Sequence, residues 1–271
     1  IVGPIPEIIE KTNEERIQTY KLLHLLGGCT LLATEKVNGT SFTCYIYRGK
    51  VYICSHFSII AKNSNNIYTY VYKKYCLEKK MLQLRQFLPF DFAIQCELYG
   101  YKKEYGGVQG NPYHINDLNI ALFNIIDIDT GCHYEPEGLP IDILGIKTVP
   151  KIAEIDIPQG LSDTDIINML KPYASGKSYL NNRVNREGVV FREADVSYYN
   201  IMGENTDLTC SRISFKILNP DDLVEAKVGS KVYLHKSKHS DSLLAIAWKK
   251  VSRKLKKVFR KAGNNNGESK A

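Results

Sequence analysis

The stretch TEKVNGTSFT (Thr34–Thr43) breaks a strand-like pattern with Lys36, the Asn38-Gly39 pair and the hydroxyls of Thr40 and Ser41. Two readings are open. The segment is either a hairpin turn with a charged shoulder, or a place where the chain presents Lys36 for chemistry. The local pattern does not choose between them, so the flanks have to.

Downstream the period is two. Phe42, Cys44 and Ile46 alternate with Thr43, Tyr45 and Tyr47, and Arg48-Gly49 predicts a tight turn into a returning strand. Upstream, KTNEERIQTYKLLHLL (residues 11–26) reads as a helix. Thr12 is its cap, Glu15 completes a capping box, and Ile17, Tyr20, Leu23 and His24 fall at helical spacing. KKYCLEKKMLQLRQFL (73–88) is a second helix candidate. LSDTDIINMLKPYA (161–174) is a third, broken near Pro172. DFAIQCELYG (91–100), REGVVFRE (186–193) and CSRISFKIL (210–218) read as strands. LNIALFNIIDIDTG (118–131) is nearly continuously apolar, a strand buried on both faces. Strands dominate without regular βαβ alternation. The expected class is α+β with mainly antiparallel sheets.

Composition narrows the function. The chain has 271 residues, 44% of them hydrophobic and 24% charged, as in ordinary globular proteins. No run approaches the roughly 20 apolar residues of a membrane span. IVGPIPEIIE has neither a basic start nor a long apolar core, so no signal peptide is visible, and the Ile1 start leaves a preceding segment open. The seven cysteines form no C-x-x-C pair, and their context predicts reduced, mostly buried thiols and an intracellular site, cytoplasmic or nuclear. The net charge of +7 belongs to the tail, because residues 249–261 (KKVSRKLKKVFRK) are densely basic without an acid. SGKS (175–178) lacks the glycine a phosphate-binding loop needs five residues before Gly176, where Lys171 stands. The histidines show no metal-ligand spacing.

Four segments carry the chemistry. EKVNG places Lys36 three residues before Gly39, and CELYG ends a buried strand on Glu97 and its neighbours. EGVVFR sets Glu187 beside Gly188, and SFKIL puts Lys216 in an apolar strand, where an unpaired cation is costly. Taken singly each has an ordinary explanation: Lys36 as a solvated turn lysine, Glu97 or Glu187 paired with Arg183 or Arg192.

In order and separation these segments resemble the covalent nucleotidyltransferase superfamily of polynucleotide ligases and capping enzymes. Within it they resemble the ATP-dependent RNA ligases of the single-protein repair and nick-sealing group. EKTNEERIQ, VQGNPY, FNIIDIDTG and REGVVFR add to the resemblance, which runs from about residue 7 to 220. It implies a nucleotidyltransferase (adenylyltransferase) domain over residues 1–222, with two mainly antiparallel sheets flanked by helices. A basic C-terminal extension would follow over 223–271.

The resemblance also implies roles. Lys36 is the nucleophile that takes AMP from ATP, and Lys216 the cation on the α-phosphate. Glu187 is the carboxylate that helps hold Mg²⁺ or Mn²⁺, and Glu97 the acid near the ribose. Phe123 stacks on adenine, Glu35 adjoins the base, and Gly39 lets the backbone approach the nucleotide. The partner is RNA, or an RNA-containing duplex, with 5′-phosphate and 3′-hydroxyl ends, and the protein is expected to act as a monomer. Three positions depart from the pattern: His56 stands where relatives carry Arg, Asn38 where Asp is common, and Ser214 where a second lysine is frequent. A DNA nick ligase, a GTP-using capping enzyme and a catalytically silent RNA-binding module remain as alternatives.

In the tail, Leu244, Trp248, Val251, Leu255 and Val258 recur at helical spacing, with basic residues around the rest. That predicts a basic helix. It would lie against a nucleic-acid backbone, lie on an anionic membrane surface, or serve as a solvated helix or localisation signal. The final GNNNGESKA reads as disordered.

Overall fold

The computed structural model describes residues 1–7, 9, 13–194 and 212–220. Thr12, Cys210 and the whole basic extension lie outside the described residues. The elements below all fall within one compact unit, Ile1–Leu223.

The main strands are β1 (Thr30–Glu35), β2 (Thr40–Tyr47), β3 (Lys50–Cys54), β4 (Phe92–Lys102), β5 (Leu118–Asp127), β6 (Lys151–Asp156), β7 (Gly188–Glu193) and β8 (Ser214–Leu218). The helices are α1 (Ile67–Lys74), α2 (Leu77–Leu84) and α3 (Asp163–Leu170). The larger sheet runs Gly3–Pro4, Ser58–Ile60, β3, β2, β4, β5, His133–Tyr134, with short additions along β4 and β5. The smaller runs β6, β1, β7, β8, Glu15–Arg16. Only Lys147–Thr148 on β5 and Glu15–Arg16 on β8 pair in parallel among the described strands. The expected α+β class with mainly antiparallel sheets holds.

The alternation of each strand decides which side chains are buried and which face the site. In the smaller sheet Leu31, Ala33, Val189, Phe191, Phe215 and Ile217 share one face and one core with α3. Phe191 stacks on Phe215 at 5.4 Å between ring centroids, an arrangement that adds to plain burial. With a period of two, the intervening residues Thr34, Val190, Arg192, Ser214 and Lys216 must emerge on the opposite face. The register sets Lys216 across from Val190 and Val190 across from Thr34. Lys216 therefore sits in an apolar strand without entering its core. In the larger sheet Phe42, Cys44, Ile94, Cys96 and Leu122 pack beneath α1 and α2.

The β2–β3 hairpin turns at Arg48-Gly49 as expected. Both residues have positive φ, 49° and 72°, which a two-residue turn matched to strand twist requires. β5 is buried along almost its whole length, as its apolar run predicts. Helix α3 starts on Ser162, whose hydroxyl accepts the Asp165 N–H, and stops before Pro172, where a 3-10 turn over Lys171–Ala174 takes over.

Two helix expectations need correction. Residues 15–25 are not helical: Glu15–Arg16 adds as an edge strand to β8, followed by 3-10 turns at Ile17–Thr19 and Leu23–Leu25. Tertiary partners override the local periodicity here. Ile17 and Leu23 fill the core of the smaller sheet, and Tyr20 packs on Phe215 at 5.2 Å. Residues 73–88 are not one helix either. The chain breaks at Cys76, whose φ of 54° is left-handed, so α1 and α2 are separate helices on a shared core. Asn66 caps α1 by accepting the Tyr68 and Thr69 N–H groups.

Of the described cysteines, Cys44, Cys54 and Cys96 are buried thiols, while Cys76 is exposed. No helix among the described residues is long and apolar enough to cross a membrane.

Candidate functional site

The opening stretch is not a hairpin. β1 belongs to the smaller sheet and β2 to the larger, so Lys36–Gly39 is where the chain crosses from one to the other. The crossing is pinned residue by residue. The Lys36 N–H donates to the Gly188 carbonyl at 3.0 Å, and the Asn38 N–H to the Tyr113 hydroxyl at 2.6 Å. Such anchoring fixes where the Lys36 side chain can reach.

Between the sheets lies a cleft of about 310 Å³, within the usual range for small-ligand sites. The structure brings Lys36, Glu97, Phe123 and Lys216 together on its walls, with Glu35 and Gly39 at one end. Glu187 joins through Lys36: Lys36 Nζ donates to Glu187 Oε1 at 2.6 Å, with the two side chains 23% and 24% exposed. The Glu187 backbone is held in turn by Asn219, whose N–H donates to the Glu187 carbonyl and whose side-chain amide donates to that of Arg186. The positions predicted from four separated segments thus converge on one cleft.

The electrostatics follow from crowding charge into a half-closed space. Burial pushes the Glu97 carboxyl up to about 8, helped by the Glu187 and Glu14 carboxylates and opposed by Lys36 and the Gly39 N–H. Glu97 is therefore mostly protonated at neutral pH, able both to donate and to accept a hydrogen bond. Lys216 is held below the ordinary lysine range, first by burial and then by the charge of Lys36, with Arg16 adding to the effect and Glu14 and Glu187 opposing it. Burial also raises Glu35. Its Oε2 accepts the Tyr179 N–H at 2.7 Å, and its buried Oε1 has no hydrogen-bond partner.

Arg192 was weighed above as a partner for Glu97 or Glu187. It is instead paired with Glu14, Nη2 to Oε1 at 2.6 Å, and donates to the Thr34 hydroxyl at 3.2 Å. Its guanidinium lies 5.1 Å from the Phe123 ring centroid, a cation–π contact that covers this largely buried ring. Burial opposes ionisation of Glu14, yet the Arg192 charge keeps its carboxyl below the usual range. Glu14, Tyr113, Arg192 and Asn219 are the site residues that sequence reasoning passed over or misassigned. Arg192 alone carried a signal, since it shares strand parity with Val190.

Gly39 has a reason to be glycine that differs from the expected one. A Cβ there would stand 2.3 Å from the Leu98 carbonyl oxygen and 2.9 Å from Glu97 Cγ, so the close approach is to β4. Gly39→Ala is expected to lower unfolding stability by about 1–3 kcal/mol, read from the denaturant midpoint, because backbone cannot yield as a side chain can.

The chain matches the RNA ligase family model over residues 30–218. No curated protein matches it significantly. Among solved structures it is similar to Naegleria gruberi RNA ligase. An apo mutant of that enzyme is 26% identical with a TM-score of 0.64, over 84% of this chain and 60% of that one. Mutants with AMP and Mn and with ATP and Mn are each 25% identical with TM-scores of 0.64, over 84% of this chain and 61% of theirs. The chain thus spans about three fifths of the length of those ligase chains. The family match runs from the first residue of β1 to the last of β8, taking in Lys36, Glu97, Glu187 and Lys216, and this chain belongs to the RNA ligase family.

Proposed function

We propose that this protein is an ATP-dependent RNA ligase that works through a lysyl-AMP at Lys36. The observation that carries the reading is the pairing of Lys36 Nζ with Glu187 at 2.6 Å on a cleft walled by Lys216, Glu97 and Phe123.

Three transfers follow. The neutral Lys36 amine attacks the α-phosphorus of ATP. A P–N bond forms, the P–O bond to pyrophosphate breaks, and the proton lost from the amine passes to water. A 5′-phosphate oxygen of RNA then takes the AMP, freeing Lys36. Finally a 3′-hydroxyl attacks that 5′-phosphorus and expels AMP as the phosphodiester forms. Lys216 faces the transferring phosphate and offsets its charge. Glu97, protonated by its burial, suits a ribose hydroxyl. Glu35, with one carboxylate oxygen buried and unpartnered, is the group that would adjoin the base. Phe123, which lines the cleft, is the ring on which adenine stacks. No three His, Cys, Asp or Glu side chains form a metal cage among the described residues. Glu187 is the residue that would hold Mg²⁺ or Mn²⁺. The metal supplies neutralisation of phosphate charge. The Naegleria ligase structures with ATP and Mn support this pairing of nucleotide and metal.

Residues 1–222 make up the adenylyltransferase domain, and the basic extension from 223 contacts the nucleic-acid backbone through its lysines and arginines. The protein acts inside the cell, in cytoplasm or nucleus, as a monomer on RNA or RNA-containing duplexes with 5′-phosphate and 3′-hydroxyl ends.

A second reading, a silent RNA-binding module, draws on His56, Asn38 and Ser214 at positions where relatives usually carry Arg and often carry Asp and a second Lys. Incubation with α-³²P-ATP and Mg²⁺ or Mn²⁺, then denaturing electrophoresis, separates the two. Label that survives denaturation supports the ligase. Its absence with both metals, from folded protein free of AMP, overturns it. Label from GTP instead of ATP would point to a capping enzyme. Parallel sealing of RNA and DNA nicks sets the polynucleotide class.

A further inference from the structure

The lip of the cleft carries an aromatic residue that the three transfers above do not use. Phe57 lines the cleft with Lys36 and Lys216, yet it is 66% exposed. Exposing a phenyl ring forgoes the transfer free energy that burial supplies, and scattered surface aromatics are common enough to need no explanation. Phe57 differs because its presentation is built.

It sits at the tip of a tight turn between β3 and the edge strand Ser58–Ile60. The Ser55 N–H donates to the Ser58 carbonyl at 2.9 Å, and the Ser58 N–H donates to the Ser55 hydroxyl at 3.2 Å. The two central residues of that turn, His56 and Phe57, are thereby held outward. The Phe57 carbonyl accepts the Ile5 N–H at 3.2 Å, and Gly3–Pro4 pairs with Ile59 and Ser58, so the turn is braced from both sides. His56 meets the Phe57 ring edge-on, with centroids 4.3 Å apart and planes at 90°. A rigid ring, displayed at the mouth of a cleft that holds two lysines, fits a ligand with flat apolar faces and an anionic backbone.

We infer that Phe57 is a stacking platform for a nucleobase of the polynucleotide being joined, setting the strand over Lys36. The inference rests on the ligase reading for the identity of the polynucleotide. The chemistry suits any base, because each has a π-face, and base–aromatic stacking contributes substantially per base to single-strand binding. The lysines take the phosphates while Phe57 fixes the base. Loss of the ring therefore weakens polynucleotide capture far more than lysyl-AMP formation.

The test uses the full chain and a nicked RNA duplex carrying 2-aminopurine beside the 5′-phosphate, whose fluorescence is quenched by stacking. Variants are Phe57→Ala, Phe57→Trp and, as a control, Phe87→Ala, an equally exposed phenylalanine that does not line the cleft. Phe57→Ala is expected to raise the polynucleotide concentration at half-saturation about 5- to 100-fold, on the scale of a single stacking contact, and to abolish the quenching. Lysyl-AMP formation should fall far less than polynucleotide affinity, and the melting temperature should stay at the wild-type value. Phe57→Trp should restore both binding and quenching, and Phe87→Ala should be neutral. Equal affinity and equal quenching in wild type and Phe57→Ala would overturn the inference. So would a loss in Phe87→Ala as large as that in Phe57→Ala. Failure of the wild type to form lysyl-AMP would instead strike the ligase reading, and the quenching measurement would still decide Phe57 for a binding module.

Discussion

Lys36→Ala is expected to abolish covalent labelling by α-³²P-ATP, with at least a 10³-fold loss of AMP transfer, because the other lysine of the cleft, Lys216, is held on β8 and assigned to the phosphate charge, not to attack. Lys36→Arg sharpens the argument. It keeps a cation beside Glu187 but offers no nucleophilic amine, so it should be as dead in labelling as the alanine variant. A merely electrostatic role for Lys36 predicts the opposite, with the arginine variant retaining much of the activity. In the proposed reaction the third transfer uses the RNA 3′-hydroxyl rather than Lys36 as nucleophile. Both variants should therefore still seal a nick whose 5′-phosphate already carries AMP, more slowly than wild type. Both should fold, since Lys36 and Glu187 are each about a quarter exposed and water replaces what their pair loses. Labelling of Lys36→Ala at the wild-type rate would remove Lys36 as the nucleophile.

Why Lys36 could be suspected but not placed is instructive. The pattern around it shows strands ending and starting, yet hairpin and sheet-to-sheet crossing share the same local signature. What distinguishes them is the pairing of β1 with β7 and of β2 with β4, contacts between segments far apart in the chain. Lys216 was more legible. Phe215 and Ile217 flank it in a strand, and the period of two alone sends it to the opposite face.

The segment over residues 15–25 misled because its helical spacing is real, while its fate is set by β8, two hundred residues on. Arg192 was visible as a charge but not as a neighbour of Phe123, since the ring and the guanidinium come from different sheets. The cap of α1, Asn66 with Thr69, was not anticipated, because the helix was expected only from Lys73 onward.

Glu187 is the second position where a single change should nearly silence the protein. Two independent functions meet in its carboxylate. It accepts the hydrogen bond that aims Lys36, and in the proposed reaction it would be the carboxylate that holds the divalent cation. A charge-assisted hydrogen bond of this kind contributes about 1.5–3 kcal/mol, so losing the aiming role alone lowers AMP transfer by roughly 10- to 100-fold. Losing the cation's carboxylate multiplies that. Glu187→Ala is thus expected to cut labelling at least 10³-fold. Glu187→Gln separates the parts, because its amide oxygen still accepts from Lys36 Nζ but carries no charge for the metal. Its activity should be partly recovered by raising Mg²⁺ or Mn²⁺, whereas the alanine variant recovers less at any concentration. Metal titrations of lysyl-AMP formation in the three proteins give the answer directly. Identical half-saturating metal concentrations in wild type and Glu187→Gln would take the cation away from Glu187 and leave it only the task of aiming the lysine.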